Sequence, residues 1–211
     1  MPKGYTRVFR FGNPLSLIRF AVLYPASRLG YVMGVRILLM DNNDSFTRNL
    51  EHLLAATLPQ AEIVVVPHSR LHEAERADLH VISPGPGRPE DYPGYGGMIE
   101  SGTPLLGVCL GMQIINVHFG GRVEQLDGCV HGRTGVMQWR GAEWTVARYH
   151  SLYCAEVAPP LEVEAALSCG APMVVSHPGL PIIGLQFHPE SFLTLQGKEI
   201  LGHALDSLAV A

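Results

Sequence analysis

Short apolar runs alternate with helical stretches along most of the chain. The five clearest runs have the length and composition of buried strands and span residues 36–40, 63–66, 79–82, 105–108 and 182–187. A helical stretch over residues 46–58 separates the first two, and such alternation is typical of strands joined by crossover helices. The pattern predicts an α/β fold with an open, mostly parallel central sheet and helices on both faces.

Residues 122–157 interrupt this alternation. They contain short strand-like pieces at 136–139 and 143–147, and we expect a small antiparallel addition to the main sheet here. Residues 71–78, just before the third strand, are acidic and helix-like. With 211 residues, 47% of them hydrophobic and 16% charged, the chain can bury a full core. Its length suggests a single domain, which we place at residues 35–208.

One of the apolar runs leads into a cysteine between two glycines. Residues 104–108 read as a buried strand, Gly107 and Gly111 lie two positions to either side of Cys109, and a helical pattern follows. A residue on such a corner needs small neighbours because the backbone doubles back closely, as in the G-x-Ser-x-G elbow of hydrolases. The helix N-terminus adds unpaired N–H groups and partial positive charge, which favour a thiolate. The pattern indicates a nucleophile; a buried structural cysteine in a glycine-containing turn is the alternative.

A base and a carboxylate that could orient it lie near the C-terminus. Pro189 biases His188 towards an extended conformation, and in an extended segment residues i and i+2 project to the same side. Glu190 can therefore reach the imidazole of His188. A surface turn is the alternative for this tripeptide alone. Together with Cys109, it fits a thiolate that is activated by a base whose tautomer a third group fixes.

A glycine- and proline-rich loop follows the third strand. Residues 81–89 begin as a strand, but their glycines and prolines prevent them from continuing a sheet. Because Gly85 and Gly87 have no side chain, the backbone N–H groups of this loop are accessible to a ligand. We interpret the loop as half of an oxyanion hole, with the N–H of Leu110 as the other half. An ordinary strand-ending turn is the alternative.

Several motifs together carry a family resemblance. The motifs are Asp-Asn-Asn-Asp-Ser-Phe-Thr at 41–47, Ser-Pro-Gly-Pro-Gly at 83–87, Gly-Val-Cys-Leu-Gly-Met-Gln at 107–113, Arg-Tyr-His-Ser-Leu at 148–152 and Gln-Phe-His-Pro-Glu-Ser at 186–191. In these motifs the chain resembles the glutaminase subunits of anthranilate synthase and aminodeoxychorismate synthase. Both subunits are class I (triad) glutamine amidotransferases. The resemblance runs from about residue 35 to residue 208. Asn43 and Met112 depart from the residues common at their positions, but neither belongs to the triad.

The resemblance implies a flavodoxin-like fold and a role for each candidate residue. Cys109 is expected to be the nucleophile, His188 the general base and acid, and Glu190 its orienter. Contacts to the substrate glutamine are implied for a wider set, which comprises Gly85, Pro86, Gly87, Gln113, Ser151 and Leu152.

The resemblance also implies the reaction and a partner. The subunit is expected to hydrolyse glutamine to glutamate and to deliver ammonia to a chorismate-binding synthase component I, in a heterodimer or heterotetramer. No cofactor is expected in this subunit, and Mg is expected in the partner. The motifs do not separate the tryptophan pathway from the folate pathway. Two other classes stay open: a stand-alone cysteine hydrolase acting on γ-glutamyl or peptide amides, and a non-catalytic subunit that has kept the fold.

Other features narrow the function classes. The cysteines at 109, 129, 154 and 169 form no C-x-x-C pair, which argues against a zinc site and against a redox dithiol. We expect the cysteines at 129, 154 and 169 to be reduced thiols in a cytoplasmic protein. His68 and His72 have the spacing of a helical metal pair, but no carboxylate pattern accompanies them, so no metal is expected. The formal net charge of −4 and the lack of a basic aromatic patch argue against nucleic acid.

The first 34 residues have a different character. They carry basic residues without a single acidic one: Lys3, Arg7, Arg10, Arg19 and Arg28. Residues 14–32 are apolar but too interrupted for a membrane span. An organellar transit peptide, which would imply an organellar location, and an interaction tail stay open. We prefer a start codon placed too early, with Met33 as the real start, because the first core strand begins two residues later.

Overall fold

The computed structural model describes residues 34–126 and 132–210. In chain order the elements are β1 (Arg36–Asp41), α1 (Thr47–Thr57), β2 (Glu62–Pro67), β3 (Leu79–Ile82), α2 (Gly96–Ile99), β4 (Leu105–Val108), α3 (Leu110–His118), β5 (Arg122–Gln125), β6 (Arg133–Trp139), β7 (Ala142–Arg148), β8 (Leu152–Glu156), β9 (Glu162–Ala166), β10 (Pro172–Ser176), β11 (Ile182–Leu185) and α4 (Gly197–Ser207). Cys129, Met33 and the rest of the N-terminal extension up to residue 33 lie outside the described residues.

The five predicted strands form the parallel part of one sheet. Its order is β2-β1-β3-β4-β11-β10-β9, and every pairing from β2 to β11 is parallel. The carboxyl ends of these five strands therefore meet at one edge, which is where open α/β sheets place their ligands. The candidate loops after β1, β3, β4 and β11 all begin at this edge.

Both faces of the sheet are covered by helices, as predicted. Along β1, Ile37 and Leu39 point into a core shared with α1 and α4, whereas Leu38 and Met40 point into a second core shared with α2 and α3. The alternation follows from the two-residue period of a strand, and the apolar side chains on both faces explain why the runs read as continuously hydrophobic.

The far edge of the sheet was not predicted. Strands β9 and β10 add to β11 in antiparallel fashion and complete a seven-stranded sheet. The sequence of β9 gives little apolar signal because Glu162 and Glu164 lie on an exposed edge strand, where charged side chains are common. Glu164 instead accepts a hydrogen bond of 2.7 Å from the indole Nε1 of Trp139.

The helix-like reading of residues 71–78 was wrong. A 3-10 segment ends at Glu73, and residues 74–77 form neither helix nor strand. Their charged side chains bind the start of β1 instead: the Arg36 guanidinium donates to Glu75 at 2.7 Å, and the Arg36 backbone N–H donates to the Asp78 carboxylate at 2.8 Å. A long-range ion pair therefore accounts for Glu75, and a hydrogen bond from the backbone accounts for Asp78.

The predicted antiparallel addition is present as two small sheets. Strand β5 pairs with β8, and β6 pairs with β7 over seven residue pairs. None of the helices in the described ranges has the length and apolar character that a membrane crossing requires.

Packing of α4 onto the sheet provides a stability test. Leu201 is 0% exposed, so Leu201→Ala should lower the free energy of unfolding by about 2–5 kcal/mol through lost burial and a residual cavity. Leu195 lies just before α4 and is 84% exposed, so Leu195→Ala should change the free energy of unfolding by less than about 0.5 kcal/mol. Urea unfolding of the two variants measures both effects. Equal losses would contradict the assignment of this face of α4 to the core.

Candidate active site

Cys109 lies on the corner between β4 and α3. Its backbone has φ 52° and ψ −103°, a combination that residues with side chains rarely adopt. The corner is tight because a Cβ on Gly107 would lie 2.6 Å from the carbonyl carbon of Gly111, and a Cβ on Gly111 would lie 2.3 Å from the Ile82 carbonyl oxygen. Both distances are far below van der Waals contact. The flanking glycines therefore allow the strained residue that carries the thiol.

His188 and Glu190 meet beside this corner. The Nδ1 of His188 donates to the Glu190 carboxylate across 2.7 Å, which leaves the other ring nitrogen for the hydrogen bond with Cys109. Both side chains are almost fully buried. The structure thus brings together the three residues that the sequence analysis singled out as nucleophile, base and orienter.

The charges in this group support one another. Burial of the ring acts to lower the pKa of His188, but the charge of Cys109, the hydrogen bond with Cys109 and the Glu190 carboxylate together raise that pKa to about 11. At neutral pH the imidazole is therefore protonated beside the Cys109 sulfur. An imidazolium in this position can donate a proton to a leaving group.

The backbone of His188 is held by an inserted hydroxyl. Its N–H donates to the Ala147 carbonyl on β7 at 3.1 Å, while its own carbonyl accepts from the Thr194 hydroxyl at 2.8 Å. The same hydroxyl accepts from the Ala147 N–H at 2.9 Å. Thr194 thus completes a strand-like bridge that the two backbones do not close directly. Sequence reasoning missed this residue because Ala147, one of its two partners, lies 47 residues away in the chain.

Two aromatic rings pack against the imidazole. The Phe46 and Tyr149 ring centroids lie 5.1 Å and 5.2 Å from that of His188, and 5.0 Å from each other. Both residues belong to motifs that carried the family resemblance, but neither was predicted as a site residue. Their rings shield the ion pair from water, which strengthens its electrostatic interactions.

A cavity of about 430 Å³ opens over Cys109 and His188. Every residue predicted to contact glutamine or to form the oxyanion hole lines it: Gly85, Pro86, Gly87, Leu110, Gln113, Ser151 and Leu152. Further lining residues were not predicted: Asp44, Ser45, Phe46, Pro84, Tyr149 and His150. Glu190 lies behind His188 and does not line the cavity, which fits a residue that acts only through the imidazole.

The side chain of Asn42 holds the glycine-rich loop in place, and the sequence analysis did not single out this residue. Asn42 is fully buried at the end of β1, and its side chain donates to the Ser83 carbonyl at 2.9 Å and accepts from the Tyr95 hydroxyl at 2.6 Å. A Cβ on Gly85 would lie 2.7 Å from that of Asn42, and Gly87 has φ +79°. Both glycines are therefore required by the backbone, and the loop is held rigidly against the β1 end.

Comparison with known proteins identifies the family. The model for "Glutamine amidotransferase class-I" matches residues 38–207. The chain belongs to the class I glutamine amidotransferase family.

Two relatives agree with this family assignment, and a solved structure agrees with the fold. Anthranilate synthase component 2 of Mycobacterium tuberculosis is 41% identical over 189 residues, which cover 81% of this chain and 82% of the relative. Aminodeoxychorismate synthase of Streptomyces griseus is 38% identical over 187 residues, covering 82% of this chain but 26% of that longer protein. A glutamine amidotransferase structure from Thermotoga maritima superposes with a TM-score of 0.64 at 16% identity, covering 83% of this chain and 96% of the other, and supports the fold.

The other candidate residues of this glutamine amidotransferase lie apart from the cavity. His68 Nε2 donates a hydrogen bond of 2.9 Å to the Pro93 carbonyl oxygen, and His72 lies near Glu73. Within the described ranges, no group of three or more His, Cys, Asp or Glu side chains is arranged to hold a metal ion. Cys169 is exposed, and burial followed by the charge of Cys109 raises the pKa of Cys154 to about 12.

The raised pKa of His188 predicts a characteristic reactivity of the amidotransferase thiol. Iodoacetamide should alkylate Cys109 at pH 6 nearly as fast as at pH 9, because the protonated imidazole stays beside the sulfur over this range and favours its attack. An ordinary thiol loses about tenfold in thiolate per pH unit below its pKa. His188→Asn should slow alkylation of Cys109 at pH 6 by about tenfold or more. Peptide mass spectrometry measures each site, with exposed Cys169 as the internal reference. A Cys109 profile that follows Cys169 in the unsubstituted protein would contradict the ion pair.

Proposed function

We propose that this chain is a glutaminase subunit that hydrolyses glutamine to glutamate and delivers ammonia to a chorismate-using synthase subunit, for anthranilate or 4-amino-4-deoxychorismate synthesis. The observation that carries the proposal is the contact series from Cys109 to His188 to Glu190, of which Cys109 and His188 line the cavity. The names of the relatives, a component 2 and an aminodeoxychorismate synthase, support the choice of synthase.

The first step uses the preformed thiolate. Cys109 Sγ attacks the side-chain amide carbon of glutamine, so an S–C bond forms and the carbonyl electrons move to oxygen. The resulting oxyanion accepts hydrogen bonds from the N–H of Leu110, which lies unpaired in the first turn of α3, and from the loop at Gly85 and Gly87. Each such donor contributes roughly 3 kcal/mol to transition-state stabilisation.

The second half of the reaction uses His188 as acid and then as base. The imidazolium gives its proton to the amide nitrogen, the C–N bond breaks, and ammonia leaves a γ-glutamyl thioester on Cys109. A water molecule then attacks the thioester carbon while the neutral imidazole takes its proton. Glutamate departs, and the thiolate and imidazolium are restored. Glu190 holds the ring in one tautomer throughout both halves.

Ammonia chemistry requires a partner. Free ammonia at neutral pH mostly becomes ammonium, which is not a nucleophile, so the product is useful only when a synthase subunit takes it directly. We place the docking surface at the segment that follows the triad, where Phe192 and Leu195 are 81% and 84% exposed. Ser191, next to Phe192, bonds the cavity-lining Tyr149 at 3.0 Å, so this surface borders the cavity. Exposed apolar side chains that form one patch are typical of an interface, and these two lie three residues apart in the chain.

Loss of the thiol separates the two ammonia sources. Cys109→Ala should abolish glutamine-dependent synthesis by the complex, because no thioester can form, while synthesis from added ammonium salts by the partner stays intact. Cys169→Ala removes an exposed thiol away from the cavity and should leave both activities unchanged. Product fluorescence or chromatography measures both. Glutamine use by Cys109→Ala above a trace would show that the nucleophile is misassigned.

Partner dependence tests the ammonia-delivery proposal. Glutamine turnover should be low for the chain alone and should rise with either an anthranilate synthase or an aminodeoxychorismate synthase large subunit, with chorismate present. The double variant Phe192→Ala, Leu195→Ala should bind that subunit at least tenfold more weakly while its unfolding midpoint is retained. Full activity of the lone chain, unchanged by both partners, would instead favour a stand-alone cysteine hydrolase. Stimulation by one partner only would identify the pathway.

A further inference from the structure

Gln186 is a fully buried polar residue that contacts the nucleophile. It follows β11 directly, and its side-chain Nε2 donates to Cys109 Sγ across 3.8 Å. Its Oε1 accepts a hydrogen bond of 3.1 Å from the side-chain Nε2 of Gln113. Gln186 therefore joins the sulfur to a residue of the cavity wall.

The orientation of both amides follows from one backbone carbonyl. Gln113 Nε2 lies 3.1 Å from the Leu152 carbonyl oxygen, which can only accept, so the nitrogen of Gln113 must face it. Both N–H groups of Gln113 are then committed, one to Leu152 and one to Gln186. Gln186 consequently presents its oxygen to Gln113 and its N–H group to the sulfur.

The hydrogen bond from Gln113 to Gln186 and the one from Gln186 to the Cys109 sulfur run in the same direction. Gln113 lines the cavity, and with its nitrogen committed, its Oε1 is left as an acceptor for an N–H group of a bound substrate. A substrate N–H that donates to this oxygen would polarise the Gln113 amide and so strengthen its hydrogen bond to Gln186. The Gln186 amide would in turn become a stronger donor to the Cys109 sulfur. Occupancy of the cavity and the charge on Cys109 are thereby coupled through Gln186.

We propose that Gln186 is a further catalytic residue of this reaction, whose amide N–H stabilises the Cys109 thiolate and whose carbonyl oxygen links that thiolate to the substrate-contacting Gln113. The proposal rests on the function proposed above. His188 and Gln186 then hold the sulfur together, the first through a charge and a proton that it gives away, the second through a neutral donor that stays in place through the cycle.

Two substitutions separate the donor from the packing. Gln186→Glu keeps the shape and an acceptor for Gln113 but turns the group facing the sulfur into an oxygen. Gln186→Met fills the space without any hydrogen bond. Gln138→Glu, on the exposed face of β6, makes the same chemical change away from the cavity and is the control.

The first readout needs no substrate. At pH 6, Gln186→Glu should slow iodoacetamide alkylation of Cys109 at least tenfold and Gln186→Met severalfold, with much smaller losses at pH 9, whereas Gln138→Glu should match the unsubstituted protein. In the complex of either Gln186 variant with the synthase partner, kcat for glutamine should fall by a larger factor than KM rises.

A purely structural role of Gln186 would lower stability without changing the pH profile of alkylation. Unchanged profiles in folded Gln186→Glu and Gln186→Met would overturn the proposal.

A second readout uses the unsubstituted protein and does not depend on folded variants. After Cys109 is converted to its S-methylthio form, the side-chain NH₂ resonances of Gln186 in a ¹⁵N spectrum should shift, because their acceptor loses its charge, while those of Gln138 should not. An unshifted Gln186 amide would overturn the proposal. Absence of glutamine turnover in the unsubstituted complex would overturn the proposed function instead, so the two failures are distinguishable.

Discussion

Everything in the site depends on how closely the corner at Cys109 approaches its neighbours. The backbone at Gly111 lies so near the Ile82 carbonyl that a single added carbon would be 2.3 Å from its oxygen, and a carbon added at Gly85 would be 2.5 Å and 2.7 Å from side-chain atoms of Leu110 and Asn42. These contacts hold the carboxyl ends of β1, β3 and β4 close together. As a result, the nucleophile, the N–H of Leu110 and the glycine-rich loop form one rigid unit before any ligand arrives. A side chain at either glycine would separate the attacking atom from the groups that stabilise the product of its attack.

A buried group of charges sits on this rigid frame. The Cys109 sulfur and the Glu190 carboxylate flank the protonated ring of His188, and the Glu190 Oε2 atom has no hydrogen-bond partner among the described residues. Isolated buried charges are costly, so each member stabilises the charged form of the others, and removal of any one leaves the rest uncompensated. The aromatic rings of Phe46 and Tyr149 add to this effect because they keep water away. The amide of Gln186 supplies one neutral donor on the remaining side of the sulfur.

The sequence predicted the parts of this arrangement that local spacing determines. The five parallel strands followed from apolar runs, the corner followed from glycines two positions either side of Cys109, and the pairing of His188 with Glu190 followed from their i, i+2 spacing. The parts that it missed depend on distant partners: Thr194 with Ala147, Asn42 with Tyr95, and Gln186 with Cys109, 77 residues apart. A buried polar side chain carries no sign in the sequence of what it bonds, and an edge strand such as β9 carries too few apolar residues to be distinguished from a loop.

The hydroxyl of Thr194 has a mechanical consequence for this site. Two paired backbones resist sliding because their donors and acceptors are fixed in direction, whereas a hydroxyl on a rotatable bond can follow a small displacement and keep both of its hydrogen bonds. The turn that begins at His188 is therefore joined to β7 by one direct backbone hydrogen bond to Ala147 and by one hydroxyl bridge, which tolerates a small shift of the turn. Phe192 lies in the same short segment, between His188 and Thr194, so its exposed side chain and the imidazole share this connection to β7.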